Sequence, residues 1–222
     1  NKNIGFGMLA FARWRTKRSL EGKGQIHKDQ SGAPGSARTT TLLRGRMTMA
    51  DGDILEGKRV LIVDDEPDVL DTLTEMLSMC LVDKAPSFEA GVKFLNKNTY
   101  DIAILDIMGV KGYDLLKTAT QKNVSAVMLT AHALSPDNLI RSIREGAHSY
   151  VPKDKLPEIA DFLRDILEAK QKGIHKHGRW FWKLKPFFDK VFGSGWREKD
   201  RDFWNDFDAK HTVSKKDLEE IL

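Results

Sequence analysis

The sequence has one cysteine and no long hydrophobic run. Cys80 is the only cysteine among the 222 residues, so no internal disulfide can form. No Cys and His spacing typical of a structural metal site occurs in the sequence. The apolar segment 4–11 is far shorter than the roughly 18 residues that a membrane-spanning helix needs, and it lacks a cleavage-like site. We therefore expect a cytoplasmic protein, with Cys80 as a buried thiol on an apolar helical stripe.

Charge is distributed unevenly along the chain. Lys and Arg exceed Asp and Glu in residues 1–50 and again in residues 171–222, whereas Asp and Glu exceed Lys and Arg in residues 51–170. The positive formal net charge of +4 therefore comes from the two ends and not from the centre. An acidic central region is a poor electrostatic footprint for nucleic acid. DNA binding is accordingly disfavoured for this region, whereas either basic end could touch an anionic surface.

The N-terminal segment does not have the pattern of a folded domain. Its run SGAPGSARTTT is rich in Gly, Ser, Thr and Pro, and few apolar residues recur with any period. We expect residues 1–57 to be disordered or non-native. Met47 and Met49 stand directly ahead of the acidic region, which raises the hypothesis that the natural product begins there.

The central region alternates five short apolar runs with five helical stripes. The predicted strands are RVLIV, residues 81–85, DIAIL, SAVMLT and residues 148–151. Helices are predicted after Pro67, from Ser87, from Gly112, from Pro136 with Ser135 as its N-cap and Gly146 after its end, and over the stripe 159–167. Continuous apolar strands joined by helical crossovers predict a parallel sheet covered on both faces.

Three carboxylates and a lysine follow the predicted strands directly. Asp64 and Asp65 follow RVLIV, Asp106 follows DIAIL, and Lys153 follows SYVP. The carboxyl ends of parallel strands share one edge of the sheet, where ligands of open α/β sheets bind. Crowded acids repel one another unless a cation neutralises them. The cluster therefore predicts a site for a divalent cation and a phosphoryl group, with the lysine as a second cation.

The same motifs resemble those of response-regulator receiver domains, the phosphoacceptor part of two-component signalling. The resemblance covers residues 58–171 and rests on VLIVDDE, ILDIM, VMLTA and SYVPK in that order. It implies an α/β flavodoxin-like (βα)5 fold, a doubly wound parallel sheet with strand order 2-1-3-4-5. Residues 172–222 then form a separate helical C-terminal extension.

The resemblance also implies the roles of individual side chains. Asp106 would be the phosphoacceptor, attacking the phosphorus of a phosphohistidine or of a small phosphodonor. Lys153 would contact the phosphoryl oxygens and Thr130 would donate a hydroxyl to them. Tyr150 occupies the position of the switch aromatic and would fill the space that Thr130 vacates. His132 is a hypothetical modulator of the phosphoryl lifetime.

The implied metal is Mg²⁺, or Mn²⁺, held by oxygen ligands. Asp65 and Asp106 would bind it directly, Asp64 through water, and Met108 through its backbone carbonyl. The sequence departs from the family at two points: the loop from Asp106 to Gly112 is about two residues shorter, and Lys153 is followed by Asp154 instead of proline. A trans bond is expected after Lys153.

The C-terminal extension is unusually aromatic, with ten of the 19 aromatic residues of the chain. An amphipathic helical stripe comprises Trp180, Phe181, Leu184, Phe187, Phe188, Val191 and Phe192. Pro186 predicts a kink or a helix start within it, and Ser214 with Asp217 suggests a capping box. No DNA-binding output domain is recognised. The stripe would pack on the receiver or on a second copy, dock a partner protein, or lie on an anionic membrane surface.

We therefore expect a response regulator that receives a phosphoryl group from a sensor histidine kinase or phosphotransfer protein, and no metabolic enzyme. Its output partner is unknown, and a homodimer would form through the face made by helix four, strand five and helix five. The alternative is a receiver-fold scaffold or interaction module that is not phosphorylated, associated with a membrane surface through the tail.

Overall fold

The computed structural model describes residues 52–172 and 178–211. Residues 52–57, which the sequence placed in the N-terminal segment, pack on the folded unit. Leu55 is fully buried, and both carboxylate oxygens of Asp53 accept hydrogen bonds from Arg164 at 3.0 and 2.7 Å. The other predictions for residues 1–51, and the capping box at Ser214 and Asp217, lie outside the described residues.

Five parallel strands form one sheet in the order β2-β1-β3-β4-β5, which confirms the predicted flavodoxin-like fold. The strands are β1 (Arg59–Val63), β2 (Leu81–Ala85), β3 (Ile102–Asp106), β4 (Ser125–Thr130) and β5 (Ser149–Pro152). Every residue of β3 and β4 is buried. Because successive side chains point to opposite faces, both faces of the sheet are covered.

Seven α-helices accompany the strands in the described ranges. They are α1 (Pro67–Met76), α2 (Phe88–Lys97), α3 (Gly112–Gln121), α4 (Pro136–Arg144), α5 (Ile159–Gln171), α6 (Gly178–Phe192) and α7 (Arg201–Lys210). Short 3-10 helices cover Lys153–Glu158 and Glu198–Asp200. Within the described residues, no helix has both the length and the apolar composition needed to cross a bilayer.

The local signals for helix ends are confirmed where the sequence is most explicit. The Ser135 side chain accepts a hydrogen bond from the Asn138 amide at 3.2 Å, with Pro136 at the first turn. Gly146 follows the end of α4 with a φ of 92°, a left-handed conformation that glycine adopts without a steric penalty. Cys80 is buried, and its thiol donates to the carbonyl of Leu55 at 3.3 Å.

The aromatic stripe of the tail forms one helix that runs through Pro186. The predicted helix start at Pro186 is therefore wrong, because Trp180, Phe181, Leu184 and Phe188 are all buried on one continuous face. Burial of four large side chains outweighs the roughly 3 kcal/mol cost of an interior proline.

Helices α6 and α7 fold back on each other as an antiparallel pair, which we call the aromatic hairpin (residues 178–210). The ring of Phe181 is stacked on that of Trp204 at 5.2 Å and lies 5.0 Å from that of Phe207. At the other end of the pair, Trp196 lies 5.2 Å from Phe192. The hairpin thus has an aromatic core of its own.

Candidate functional site

The register of the sheet brings the predicted acids side by side. Val63 of β1 pairs with Leu105 of β3, so the residues that follow them, Asp64 and Asp106, end neighbouring strands at the same level. Both carboxylates are buried, Asp64 at 1% and Asp106 at 5% exposure. The structure therefore places two of the predicted acids together at the carboxyl edge of the sheet.

The carboxylate of Asp106 is held on both oxygens. Oδ2 accepts hydrogen bonds from the backbone amides of Met108 at 2.9 Å and Gly109 at 3.2 Å. Oδ1 lies 3.0 Å from Nζ of Lys153. Backbone donors on one oxygen and a cation beside the other fix the orientation of this carboxylate.

Lys153 sits among three carboxylates. Its Nζ lies 2.7 Å from Oε1 of Glu66, 2.9 Å from Oδ2 of Asp64 and 3.0 Å from Oδ1 of Asp106. Burial of the ammonium opposes its charge, but the close carboxylates of Asp64 and Glu66 and the field of Asp106 outweigh burial and raise the pKa of Lys153. The lysine is therefore a permanent cation at the centre of the site.

At Asp64, in contrast to Lys153, the effect of burial on the pKa outweighs that of the neighbouring charge and hydrogen bond. Burial raises the pKa of its carboxyl to about 6, although Lys153 and the amide of Glu66 act to lower it and Asp106 adds to the increase. Oδ1 accepts a hydrogen bond from that amide at 3.0 Å. Oδ2 has only the ion-pair contact with Lys153 and no directed hydrogen bond. A buried carboxylate oxygen with spare acceptor capacity is thus left facing the cluster.

The shortened loop after Asp106 is tightly packed. A Cβ at Gly109 would overlap the exposed carboxylate of Asp65, and a Cβ at Gly112 would overlap the carbonyl oxygen of Asp106. Lys111 has a φ of 51°, which is unfavourable for a residue with a side chain. The loop therefore brings Asp65 next to the segment that follows the phosphoacceptor candidate.

Thr130 and Tyr150 meet at the backbone of one residue, Ala133. The Ala133 amide donates to Oγ1 of Thr130 at 3.0 Å, and the Tyr150 hydroxyl donates to the Ala133 carbonyl at 2.9 Å. The same carbonyl accepts from Nδ2 of Asn138 at 2.8 Å. Burial raises the pKa of Tyr150, so its hydroxyl remains a donor. The two residues predicted as a switch are thus linked by a buried hydrogen-bonded turn.

Three residues near the cluster, His132, Asp154 and Met108, are exposed, unlike the buried carboxylates at its centre. His132 and Asp154 are exposed, and the ion pairs of Lys153 go to Asp64, Glu66 and Asp106. Met108 has 64% of its surface exposed. No peptide bond in residues 52–172 and 178–211 is cis, so the bond after Lys153 is trans, as expected.

Glu66 is the site residue that the sequence analysis missed. Its carboxylate makes the shortest of the three contacts with Lys153, and its backbone amide caps Asp64. The only available signal was a third acid directly after Asp64 and Asp65 and before Pro67. Such an acid is also what a helix N-terminus favours for electrostatic reasons alone.

The donor set suits Mg²⁺ in kind but is not a preformed cage. In the part of the chain that the structure describes, no three His, Cys, Asp or Glu side chains form a group that could hold a metal ion. The ammonium of Lys153 lies between Asp64 and Asp106 instead. Hard carboxylate oxygens, one of them without a directed donor, nevertheless fit the oxygen ligands and retained waters that Mg²⁺ prefers.

The aromatic hairpin covers the face made by α4, β5 and α5. The Phe188 ring lies 6.3 Å from that of Tyr150 on β5. Lys183 forms a very short ion pair with Asp165 on α5, and Arg144 on α4 lies 5.0 Å from the Phe203 ring. The hypothesis that the tail packs on the receiver is confirmed. A homodimer through this face remains a prediction and would require the hairpin to move.

Comparison with known proteins identifies the domain. Residues 60–164 match the family described as response regulator receiver domain. This part of the chain belongs to that family. The matched residues contain the acidic cluster, the β-sheet apart from Arg59 and the first half of α5, while the aromatic hairpin lies outside them.

A response regulator of Staphylococcus aureus is similar to about half of this chain. The heme response regulator HssR of Staphylococcus aureus strain Newman is 36% identical over 113 residues, which cover 48% of this chain and 50% of that protein. The same regulator from strain JH9 gives the same identity and coverage. The chain therefore spans about half the length of the curated relatives it matches.

Two solved receiver domains are also similar to this chain. A CheY-like receiver domain protein from Methanospirillum hungatei JF-1 is 24% identical, with a TM-score of 0.49, and covers 53% of this chain and 99% of its own. The receiver domain of the Francisella response regulator 1452 is 21% identical, with a TM-score of 0.47, and covers 51% and 99%.

Proposed function

We propose that the chain is a response regulator that accepts a phosphoryl group on Asp106 from a sensor histidine kinase or phosphotransfer protein. The observation that carries the proposal is the environment of that carboxylate: buried, oriented by the amides of Met108 and Gly109, and 3.0 Å from Lys153. A nucleophilic carboxylate beside a fixed cation is what phosphoryl transfer needs.

In the proposed reaction, a carboxylate oxygen of Asp106 attacks phosphorus in line with the departing nitrogen of a phosphohistidine. The new O–P bond forms as the P–N bond breaks, and the imidazole leaves with the electron pair and takes up a proton. Lys153, already between Asp106 and Asp64, would neutralise charge on the phosphoryl oxygens. Thr130 would donate its hydroxyl hydrogen, which its bond with Ala133 leaves available.

Asp64, Asp65, Asp106 and the backbone carbonyl of Met108 are the residues that would hold Mg²⁺ or Mn²⁺. The metal supplies further neutralisation of phosphoryl charge when bound. Support for this assignment comes from the buried Oδ2 of Asp64, which has no directed donor. The position of Asp65 supports it as well, because its carboxylate occupies the space that a Cβ at Gly109 would need.

The proposal is tested with acetyl phosphate and Mg²⁺. We expect an acid-stable, base-labile and hydroxylamine-sensitive acyl phosphate on the wild-type chain and none on Asp106→Asn. His132→Ala would give a changed rate of phosphoryl loss if the modulator hypothesis holds. Absence of acyl phosphate from the folded wild-type chain, with both acetyl phosphate and a phosphorylated kinase, would instead support the scaffold alternative.

A further inference from the structure

Glu66 reaches Lys153 from the solvent side of the acidic cluster. Nζ of Lys153 donates a hydrogen bond to Oε1 of Glu66 at 2.7 Å. The 2.9 Å contact of the same ammonium with Oδ2 of Asp64 is an ion pair without a directed hydrogen bond. The side chain of Glu66 is 59% exposed, whereas those of Asp64 and Asp106 are 1% and 7% exposed. The most exposed of the three acids therefore makes the shortest contact with the lysine.

The side chain of Glu66 does not cap the helix that follows it. Glu66 is the N-cap residue of α1, yet its carboxylate makes no capping hydrogen bond. Its backbone makes the local contacts instead: the carbonyl accepts from amides of α1, and the amide donates to Asp64. Attraction to the helix dipole is shared by Asp68 in the first turn. The contact of Glu66 with Lys153 is thus a separate feature of the site.

The three donors of Lys153 face three carboxylates. An ammonium group has three N–H donors, and carboxylate oxygens of Glu66, Asp64 and Asp106 lie 2.7 to 3.0 Å from Nζ. A phosphoryl oxygen that binds this ammonium competes with them. Separation of the lysine from Asp64 or Asp106 leaves a buried charge uncompensated, which is strongly unfavourable. Separation from Glu66 returns an exposed carboxylate to water, so Glu66 is the partner whose release costs least.

We propose that Glu66 is a competing counter-ion, which holds the ammonium of Lys153 at rest and is displaced from it by a phosphoryl group on Asp106. This inference rests on the proposed function. Glu66 is a positioning residue in this scheme, since it acts through Lys153. Because the lysine must first leave Glu66, the apparent affinity of the site for a phosphoryl group is lower than its intrinsic affinity.

A graded series of substitutions at Glu66 tests the competition. Glu66→Gln keeps an acceptor oxygen and loses the charge, whereas Glu66→Ala loses both. Affinity for the phosphoryl mimic beryllofluoride in the presence of Mg²⁺ is measured by fluorine NMR titration. We expect Glu66→Ala to bind the mimic about three- to fivefold more tightly than the wild type, the factor that an exposed ion pair gives. Glu66→Gln should fall between them, because neutral hydrogen bonds are weaker than charge-assisted ones.

Asp68→Ala is the matched control for the loss of one negative charge. Asp68 is exposed in the first turn of α1, two residues from Glu66. Its substitution alters the net charge and the interaction with the helix dipole but leaves the contact of Glu66 with Lys153 in place. Asp68→Ala should therefore bind beryllofluoride as the wild type does.

The contact at rest is measured without metal or mimic. In a chain with isotope-labelled lysine, NMR gives the rate at which the ammonium protons of Lys153 exchange with water, and Lys153→Arg assigns the signal by its loss. Glu66 protects these protons by accepting one of them, so Glu66→Ala should accelerate the exchange and Asp68→Ala should not. Circular dichroism establishes that every variant is folded.

The outcomes keep the two proposals apart. If the wild type binds beryllofluoride but Glu66→Ala binds it no more tightly, or if Glu66→Gln and Glu66→Ala bind it equally, the inference is wrong and the proposed function stands. Unchanged ammonium exchange in Glu66→Ala would also overturn the inference. So would a loss of Mg²⁺ affinity of about tenfold or more in Glu66→Ala, measured by calorimetry, because Glu66 would then belong to the metal site. If no mimic binds to the folded wild type, the proposed function fails and the inference falls with it.

Discussion

At the scale of single residues, the site combines two buried carboxylates with one buried cation. Lys153 cannot fully compensate Asp64, Asp106 and Glu66 together, and the raised pKa of Asp64 reports the remaining cost. Burial of these charged groups therefore costs free energy that their ion pairs offset only in part. The stability of the protein should therefore improve when one acid is neutralised.

Asp64→Asn is expected to stabilise the metal-free fold. The pKa of this carboxyl is raised from 3.8 to about 6, so the ionised form at pH 7.5 costs free energy relative to the unfolded chain. At about 1.4 kcal/mol per pKa unit this shift corresponds to about 3 kcal/mol, and loss of the ion pair with Lys153 offsets part of it. We therefore expect a gain of about 1 to 2 kcal/mol in the free energy of unfolding, measured in urea. Asp65→Asn, at an exposed carboxylate, should change it by less than about 0.5 kcal/mol. An unchanged or lower stability of Asp64→Asn would contradict this account.

Two glycines of the loop should respond differently to the same added methyl group. Gly112→Ala would place its Cβ against the backbone carbonyl of Asp106, which cannot move independently, so we expect a loss of about 2 to 3 kcal/mol in urea unfolding. Gly109→Ala meets the end of the Asp65 side chain, which can rotate away. It should cost less than Gly112→Ala and instead weaken Mg²⁺ binding, measured by calorimetry. Equal stability losses would show that Asp65 is fixed.

The centre of the site could be predicted from sequence because strand ends converge by topology. Asp64, Asp106 and Lys153 each follow a buried strand, and parallel order alone brings them to one edge. The role of Glu66 could not be predicted in this way, since its contact with Lys153 joins residues 87 positions apart through side-chain rotamers. The metal-ligand roles of Asp65 and Met108 remain predictions.

At the scale of elements, α4 links the site to the tail. Ser135 caps this helix, and Asn138 in its first turn donates to the Ala133 carbonyl that also holds Tyr150. Tyr113 on α3 donates to the Asn138 carbonyl at 3.2 Å. The start of α4 is therefore fixed by the turn that follows Thr130 and by the helix that follows the loop after Asp106.

Removing the side-chain cap of α4 should loosen the backbone around Ala133 and Tyr150, whereas removing the cap of α2 should leave that region unchanged. We expect Ser135→Ala and Ser87→Ala each to cost about 1 kcal/mol in the free energy of unfolding, because each loses one side-chain cap. Only Ser135→Ala should also accelerate amide hydrogen exchange at Ala133 and around Tyr150. Equal exchange at these amides in both variants would show that the turn does not depend on the helix.

The type of each element was predictable where helix-capping residues and the spacing of apolar residues agree, and less predictable where these two signals conflict. The strand over 148–151 is displaced by one residue to Ser149–Pro152, a shift within ordinary boundary error. Pro186 predicted a kink or a helix start, whereas the helix begins at Gly178 and continues through Pro186 with Phe181, Leu184 and Phe188 buried. A local backbone preference was overridden by packing that a single segment cannot reveal.

At the scale of the whole molecule, the destination of the aromatic stripe was the least predictable feature. The stripe identified which side of α6 is apolar but not which surface would cover it, and the receiver, a second copy and a membrane all satisfied the pattern. In the structure, two surfaces cover the stripe. Rings of α7 pack on Phe181, and Tyr150 of the receiver contacts Phe188.

The ion pair of Asp165 with Lys183 offers the sharpest test of this arrangement, because it joins α5 to α6 and both side chains are largely buried, at 12% and 22% exposure. Asp165→Lys and Lys183→Asp should each destabilise the chain, and the double variant should recover about 1 kcal/mol or more of the loss as a coupling energy in urea unfolding. The exposed pair of Asp206 and Lys210 within α7 serves as the matched control and should couple by about 0.3 to 0.5 kcal/mol. A coupling energy for Asp165 and Lys183 no larger than that of the control would mean that the hairpin does not rest on α5 in solution.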